Sequence, residues 1–485
     1  MNVRYSHAVA LLCALLLFFA LGNHQLQNST EPRVAGIAME MHLSNNWVTP
    51  TLNGEPFLEK PPLSLWLDAA AIRVIGPVPL AVRLASAFAG LLTLWALYHL
   101  LRRFGRPHFV ALGAVCLLLT TATFWSNARQ VGEDALLTLG VTVALLAFFH
   151  ASRHRQFTTL PVGRWLLFSL GIVISTLSKG VLGLALPGVV IFAYLVVETM
   201  LERRFVLSHW LRPLMFTLLA LIPLLIWLYF LYGQGGIESL KAVLWTNSVG
   251  RFNGEFVEAG HYEPFYYYFS KLPEAFLPWN LLVYLGLWHF RKQLVQDRHL
   301  LFFSLWLLAQ FLLLTLASSK RMVYLMSLTP AAAVIASEYL AVLRQRLRDR
   351  AGSSVRAQRW LERSPALAVG VVGIVCAGYL SSAFWLAPRL DKKLSFVPLT
   401  ERVRALQAEG KEVVLFQPSE RLAGASVFYS QSLLGTAHDD RQLQAMLSGS
   451  ARTVAIMESE EAPRPPLNIV EQVKVGDRVY YFVSR

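Results

Sequence analysis

The chain has 485 residues, of which 55% are hydrophobic and only 15% charged, with a mean hydropathy of +0.46. Ordinary soluble domains carry about a quarter charged residues, so this chain cannot clothe a water-facing surface and lipid must solvate much of it. A net charge of +14 would suggest nucleic acid in a soluble protein. Here the arginines fall between long apolar runs, which points to membrane topology and excludes a nucleic-acid partner.

Eleven apolar runs approach the ~20 residues that cross a bilayer. They lie at about 7–22, 79–101, 109–125, 135–151, 165–177, 181–200, 212–232, 276–290, 300–317, 322–343 and 365–387. Arg4 precedes the first run as in a signal peptide, but residues 21–25 offer no small-residue cleavage site, so an uncleaved helix is expected. With the N-terminus in the cytoplasm, the inside loops collect Arg102, Arg103, Arg106, Arg153, Arg155, Arg164, Arg203, Arg204, Arg212, Arg291, Lys292 and Arg298. The loop after the tenth run adds Arg344, Arg346, Arg348, Arg350, Arg356, Arg359 and Arg363. The short outside loops hold only Arg129, Lys179, Lys320 and Arg321. This asymmetry predicts a multi-pass protein of a bacterial inner membrane. An odd number of spans then leaves the C-terminal segment in the periplasm. Cys13, Cys116 and Cys376 all fall in predicted spans and have neither disulfide-framework nor metal-site spacing.

Two outer loops, 23–78 and 233–275, are long, and loops on a rigid scaffold carry function. In the first, Trp66, Ala70 and Val74 recur at helical spacing and predict a helix at the membrane surface. The second is rich in aromatics, including Tyr262, Phe265, Tyr266, Tyr267, Tyr268 and Phe269. These suit either an interfacial belt or a groove for a lipid tail or acceptor. From residue 388 onward charges of both signs return. A helix is expected at 403–408 and strands at 413–416, 452–457 and 479–483. The expected architecture is an all-α polytopic membrane domain over 1–387, with about eleven transmembrane helices, followed by a small soluble α/β domain over 388–485.

The ionisable residues of the outer face gather into a few short stretches. These are Glu31 with Arg33, Glu55, Glu59-Lys60-Pro61-Pro62, Arg129 with Glu133 and Asp134, Ser178-Lys179-Gly180, Arg251 with His261 and Glu263, and Lys320-Arg321. Ionisable groups at a membrane edge are costly to desolvate and mark a site. Lys and Arg hold a lipid phosphate and stabilise the charge it develops as a leaving group. A carboxylate can take the proton of an attacking hydroxyl. That mixture predicts an inverting transfer from a lipid-phosphate sugar.

Thr30-Glu31-Pro32-Arg33, Ile37-Ala38-Met39-Glu40-Met41, Trp47, Pro50, Asn53-Gly54-Glu55-Pro56 and Glu59-Lys60-Pro61-Pro62 together resemble the first periplasmic loop of the aminoarabinose lipid A transferases. These belong to the wider group of dolichyl-phosphate-mannose protein mannosyltransferase-like enzymes, with the fold called GT-C. The resemblance continues through Arg129 and Asp134-Ala135-Leu136-Leu137-Thr138, Ser178-Lys179-Gly180 with Leu186-Pro187-Gly188, Arg251-Phe252, His261, Pro264, Tyr267, Leu277-Pro278-Trp279, Ser319-Lys320 and Tyr324, covering about residues 1–340. It implies that Arg33 and Lys60 grip the donor phosphate, with Lys179, Arg251 and Lys320 at matching positions. Asp134 falls at the family's second functional acid. Glu59 and His261 fall where a zinc-like divalent metal has been placed in the aminoarabinose branch. The family's loop begins Asp-Glu, whereas this chain has Thr30, which cannot act as a base near neutral pH. Either Asp134 or Glu31 has taken the role, or the acceptor differs, or activity is reduced. The implied function is transfer of a sugar from a polyprenyl (undecaprenyl) phosphate to a periplasmic acceptor such as lipid A or another glycan. A flippase of lipid-linked intermediates and a non-catalytic relative are the alternatives. A transporter should carry its ionisable residues near mid-bilayer, whereas here they sit at the outer edge.

Overall fold

A computed structural model of the chain describes residues 3–27, 30–152, 162–254, 261–450, 452–463 and 467–485; Arg153 and Arg155 lie outside these. The N-terminal part is built of helices. They are α1 (Val3–Phe18), α2 (Thr30–Ser44), α3 (Leu63–Ile75), α4 (Pro79–Arg103), α5 (His108–Leu119), α6 (Ala122–Asn127), α7 (Asp134–Ser152), α8 (Val162–Glu202), α9 (Leu207–Ala220) and α10 (Ile222–Lys241). A π-helical stretch, Ala242–Gly250, leads into α11 (Arg251–Asn253), α12 (Tyr267–Ala275), α13 (Asn280–Phe290) and α14 (Arg298–Leu316). A 3-10 turn, Met322–Leu328, precedes α15 (Thr329–Ala351), α16 (Val355–Ser381) and α17 (Ala387–Leu394). A short hairpin of β1 (Thr51–Leu52) and β2 (Glu55–Pro56) interrupts the first long loop.

Among the described residues seven helical stretches are long and apolar enough to cross a bilayer, and Ser6–Phe18 and His108–Leu119 are shorter apolar helices. The chain is a multi-pass membrane protein. The eleven apolar runs of the sequence all fall on helices, and the difference in count has a local cause. The chain reverses inside α8, where Lys179 has φ −145° and Gly180 has φ +53°, a backbone that glycine adopts without steric penalty. After the reversal Gly183 lies so close to Ser175 that a Cβ there would overlap its carbonyl. One helical stretch therefore supplies two antiparallel segments, and α7 packs along them, with the Gly140 and Gly171 backbones in near contact. In turn α13 spans only 11 residues, too few to cross alone.

Residues beyond α17 form a small α/β unit of α18 (Val397–Ala408), β3 (Glu412–Phe416), α19 (Glu420–Ser430), β4 (Gly435–Ala437), α20 (Asp440–Gly449), β5 (Thr453–Ser459), β6 (Asn468–Val475) and β7 (Arg478–Ser484). The strand order is β4-β3-β5-β7-β6, with β3 parallel to β4 and β5, and β7 antiparallel to β5 and β6. Val413, Leu415 and Ile456 pack against Leu399, Val403 and Leu406 on one face. Val414 and Ala455 pack against Leu443 and Leu447 on the other. Covering both faces explains why β3 reads as an unbroken apolar run.

This unit is seated on the first long loop. Helix α19 crosses α2 at Gly424 and Gly36, where the backbones approach so closely that a Cβ on Gly424 would lie 2.6 Å from the Cα of Arg33. Val34, Ala38, Ala423, Val427 and Phe428 close the apolar seam around the crossing. Tyr429 accepts no slack in this seam: its hydroxyl takes the Leu26 amide at 3.0 Å and donates to the Gln25 side chain.

Candidate functional site

Three chain reversals bring the site together. Pro61 and Pro62 stiffen the segment entering α3 and fix Glu59 and Lys60 just before it. Glu133 and Asp134 stand at the start of α7, and Lys179 sits at the reversal of α8. The Lys60 ammonium lies 2.6 Å from Glu133 Oε1, and the Lys179 ammonium lies 3.3 Å from the same oxygen. Lys179 also contacts Asp134 directly and stands 4.3 Å from the ring centroid of Tyr324. Two lysines therefore share one buried carboxylate, with a second carboxylate beside it. Burial alone would push the Glu133 carboxyl up, but Lys60 and Lys179 overcome it and hold the group well below the usual carboxylate range.

Lys60, Lys179 and Tyr324 of this cluster line an apolar cavity of about 330 Å³, with Glu133 and Asp134 behind the lysines. Glu59, Lys60, Lys179, Asn247, Ser248 and Tyr324 form its polar end, and Val181, Leu182, Ala185, Leu313 and Leu314 form its hydrocarbon walls. Arg33 lies behind the Glu59-Lys60-Pro61 wall, in a cleft of about 30 Å³ lined also by Phe57, Ser64 and Glu133. Its guanidinium is 3.7 Å from Glu59, 2.7 Å from Glu420 of α19, and 5.5 Å from the centroid of Phe57.

The other expected site residues are placed differently. Glu31 is buried away from the cavity. Its two oxygens accept bonds of 2.9 and 2.8 Å from Arg83, and further bonds from the amides of Gln27 at 3.1 Å and Val131 at 3.2 Å. Burial would raise its carboxyl, yet Arg83 and the amides hold it below its ordinary value. Arg83 itself donates to the carbonyls of Leu21, His24 and Gln25. This is the geometry of an anchor that ties the first loop to α4, not of a base facing substrate. The Thr30 hydroxyl accepts from Arg321 at 3.3 Å. Lys320 donates to the backbone carbonyls of Glu263, at 3.0 Å, and Ala317; it ties a loop down while its neighbour Ser319 lines the cavity. Arg251 opens α11, and its side chain lies outside the described residues. Arg129, on the same face, donates to the carbonyls of Leu16, Leu17 and Phe19 and so caps the end of α1.

The described residues offer Glu59 and His261 no third metal ligand. Among the described residues no three His, Cys, Asp or Glu side chains gather as a metal ion would require. His261 is exposed and its carbonyl accepts from the Lys320 amide, while Glu59 faces Arg33. No step is therefore assigned to a metal.

Three groups that matter were not singled out from the sequence. Glu133 stood in the sequence only as one acid of the outer face, with no role of its own, yet both lysines meet on it. Arg83 carried a signal, since it is an arginine inside an apolar run. Asp68 is 1% exposed, and both carboxyl oxygens lack a hydrogen-bond partner. Burial, with a smaller push from Glu133, raises its carboxyl well above the usual value.

A family model described as dolichyl-phosphate-mannose-protein mannosyltransferase matches residues 59–227, a segment that contains Lys60, Glu133, Asp134 and Lys179. Solved structures of ArnT from Cupriavidus metallidurans, one of them bound to undecaprenyl phosphate, superpose with a TM-score of 0.75 over 99% of this chain and 98% of theirs, at 19–20% identity. The chain has the fold of these ArnT structures. The undecaprenyl phosphate-alpha-4-amino-4-deoxy-L-arabinose arabinosyl transferase of Pseudomonas aeruginosa (strain LESB58) is 29% identical over 65% of this chain and 56% of its own length. That of Shewanella sediminis is 28% identical over 71% of this chain and 61% of its own length. The chain thus spans less than two thirds of the length of the curated relatives it matches. The archaeal oligosaccharyltransferase AglB from Archaeoglobus fulgidus shares the fold more distantly, with a TM-score of 0.58 over 90% of this chain and 64% of its own.

Proposed function

We propose that the protein is an inner-membrane glycosyltransferase that moves a sugar from a polyprenyl phosphate to an acceptor such as lipid A or another glycan. The observation that carries this reading is the cavity itself. Lys60 and Lys179 stand at its polar end, with Arg33 behind them, and its walls are hydrocarbon. A polyprenyl phosphate has the matching halves, an anion that lysines bind and a tail that needs apolar walls. The relatives that act on undecaprenyl phosphate, and the ArnT structure that holds it, favour undecaprenyl phosphate as carrier and an aminopentose as sugar.

In the mechanism that follows, the donor phosphate takes Lys60 and Lys179 from their carboxylates. The two ammonium groups then offset the negative charge that develops as the phosphate leaves. Asp134, released from Lys179, accepts the proton of the attacking group. One displacement at the anomeric carbon inverts its configuration. The acceptor would approach through a second cavity of about 590 Å³ lined by Trp125, Asn127, Glu274, Arg321 and Tyr379. Membrane-spanning residues 1–387 carry the chemistry, with a cytoplasmic N-terminus, and residues 388–485 work with them on the periplasmic side. Reconstituted protein given an undecaprenyl-phosphate aminopentose and lipid A should yield lipid A heavier by one sugar in mass spectrometry, and a lack of product with a panel of lipid-linked sugars and glycan acceptors would refute the reading.

A further inference from the structure

One ion pair of the site joins the membrane part to the C-terminal unit. Arg33 Nη1 meets the Glu420 carboxylate at 2.7 Å, closer than it meets Glu59 at 3.7 Å. The pairing is fixed by the helix crossing. Gly424 lies one turn after Glu420 and Gly36 three residues after Arg33, and the two glycines let the helices touch backbone to backbone. The α/β unit therefore delivers a carboxylate to the residue that the family resemblance assigns to the donor phosphate.

The carboxylates that neutralise the site's cations differ in exposure. The Glu133, Glu59 and Asp134 side chains are 5%, 12% and 16% exposed, whereas Glu420 is 48% exposed. Glu420 can therefore return to water at the lowest desolvation penalty. Arg33 is held from its other sides by Phe57 and Glu59 and would stay behind. Its Nε–H is buried without a hydrogen-bond partner, a donor still in want of an acceptor. The cleft around Arg33, about 30 Å³, holds little more than a water molecule. Glu420 therefore competes with a phosphate for Arg33 through the 2.7 Å ion pair.

We propose that Glu420 is a displaceable stand-in for the donor phosphate on Arg33, so that the C-terminal α/β unit sets the affinity of the donor site. The inference rests on reading the cavity as a polyprenyl-phosphate site. Entry of the phosphate breaks the Arg33–Glu420 pair, and the departing carboxylate turns outward to solvent. Release of the spent carrier lets it return, so the unit favours turnover over tight retention of product.

The experiment is a titration of undecaprenyl phosphate into the full-length protein in detergent, with Glu420→Gln, Arg33→Ala and the double variant alongside. A half-exposed ion pair opposes binding by at most ~1 kcal/mol, so Glu420→Gln should bind about two- to fivefold more tightly than wild type. In the Arg33→Ala background the same change should have no effect. Glu420→Asp, which keeps the charge but withdraws it by one methylene, should fall between wild type and Glu420→Gln and serves if the glutamine variant is unstable. Unchanged or weaker binding in Glu420→Gln, beside a wild type that binds, overturns the inference alone. A wild type that binds no undecaprenyl phosphate refutes the donor-site reading and this inference with it.

Discussion

Replacing Glu31 with Gln separates an anchoring role from a catalytic one. Glu31 and Arg83 are 2% and 0% exposed and meet through two hydrogen bonds of 2.9 and 2.8 Å. Glutamine keeps the shape but leaves the guanidinium buried without its counter-charge. Breaking one partner of a buried pair costs about 3–5 kcal/mol, a large share of the 5–15 kcal/mol that typically separates folded from unfolded states. Glu31→Gln should therefore melt well below wild type in fluorescence-detected size exclusion. Replacing both partners by Met should recover part of the loss, since no uncompensated charge remains. The pH dependence has a definite sign. The folded carboxyl sits below its ordinary value, so its contribution is present above about pH 4.5 and is lost as the pH falls through the folded value. If Glu31→Gln instead melts like wild type while turnover falls on the order of 10²–10⁴-fold, Glu31 is the base and the anchoring assignment is wrong.

Other perturbations test other parts of the account. Asp68→Asn should raise the melting temperature at neutral pH: the raised folded carboxyl contributes stability fully below about 3.8 and loses it as the pH rises through the folded value, so the benefit of the substitution should shrink on acidification, and a gain that grows on acidification would contradict this. Gly36→Leu should force α19 off α2, seen as new protease cleavage between the membrane part and the α/β unit; an unchanged digestion pattern would show that the crossing tolerates a side chain. Asp134→Asn should lower turnover on the order of 10²–10⁴-fold at unchanged donor binding, and normal turnover would remove Asp134 from the mechanism. If the proposed lysines alone meet the phosphate, chelation with EDTA should leave turnover unchanged; loss restored by zinc would refute that assignment.

The membrane architecture was legible because lipid demands long apolar runs, and those runs carry their own signal. The helix Leu63–Ile75 was legible for a related reason: one apolar face at helical spacing needs no tertiary information. In the C-terminal unit, strands with continuous apolar runs were readable, whereas the short β4 and the largely exposed β6 carried no such pattern. The site was readable only as an inventory. Sequence put Lys60, Lys179, Asp134 and Glu133 on one face and broke the apolar pattern at 178–180, where the chain reverses, but which lysine meets which carboxylate is set by packing between segments distant in the chain. The roles of Glu31 and Glu420 were out of reach because each is set by a partner distant in the chain, Arg83 and Arg33 respectively. Thr30 stands where the family has an acid, and its contact with Arg321 could not be read from either segment alone.

The central claim is that Lys60 and Lys179 hold a polyprenyl phosphate at the polar end of the apolar cavity. The most direct measurement is the dissociation constant of undecaprenyl phosphate for wild type, Lys60→Ala and Lys179→Ala, in one detergent and one salt concentration. A charge-assisted contact is worth about 1.5–3 kcal/mol, so each variant should bind roughly 10- to 150-fold more weakly than wild type. Folded variants that both bind as tightly as wild type would contradict the account.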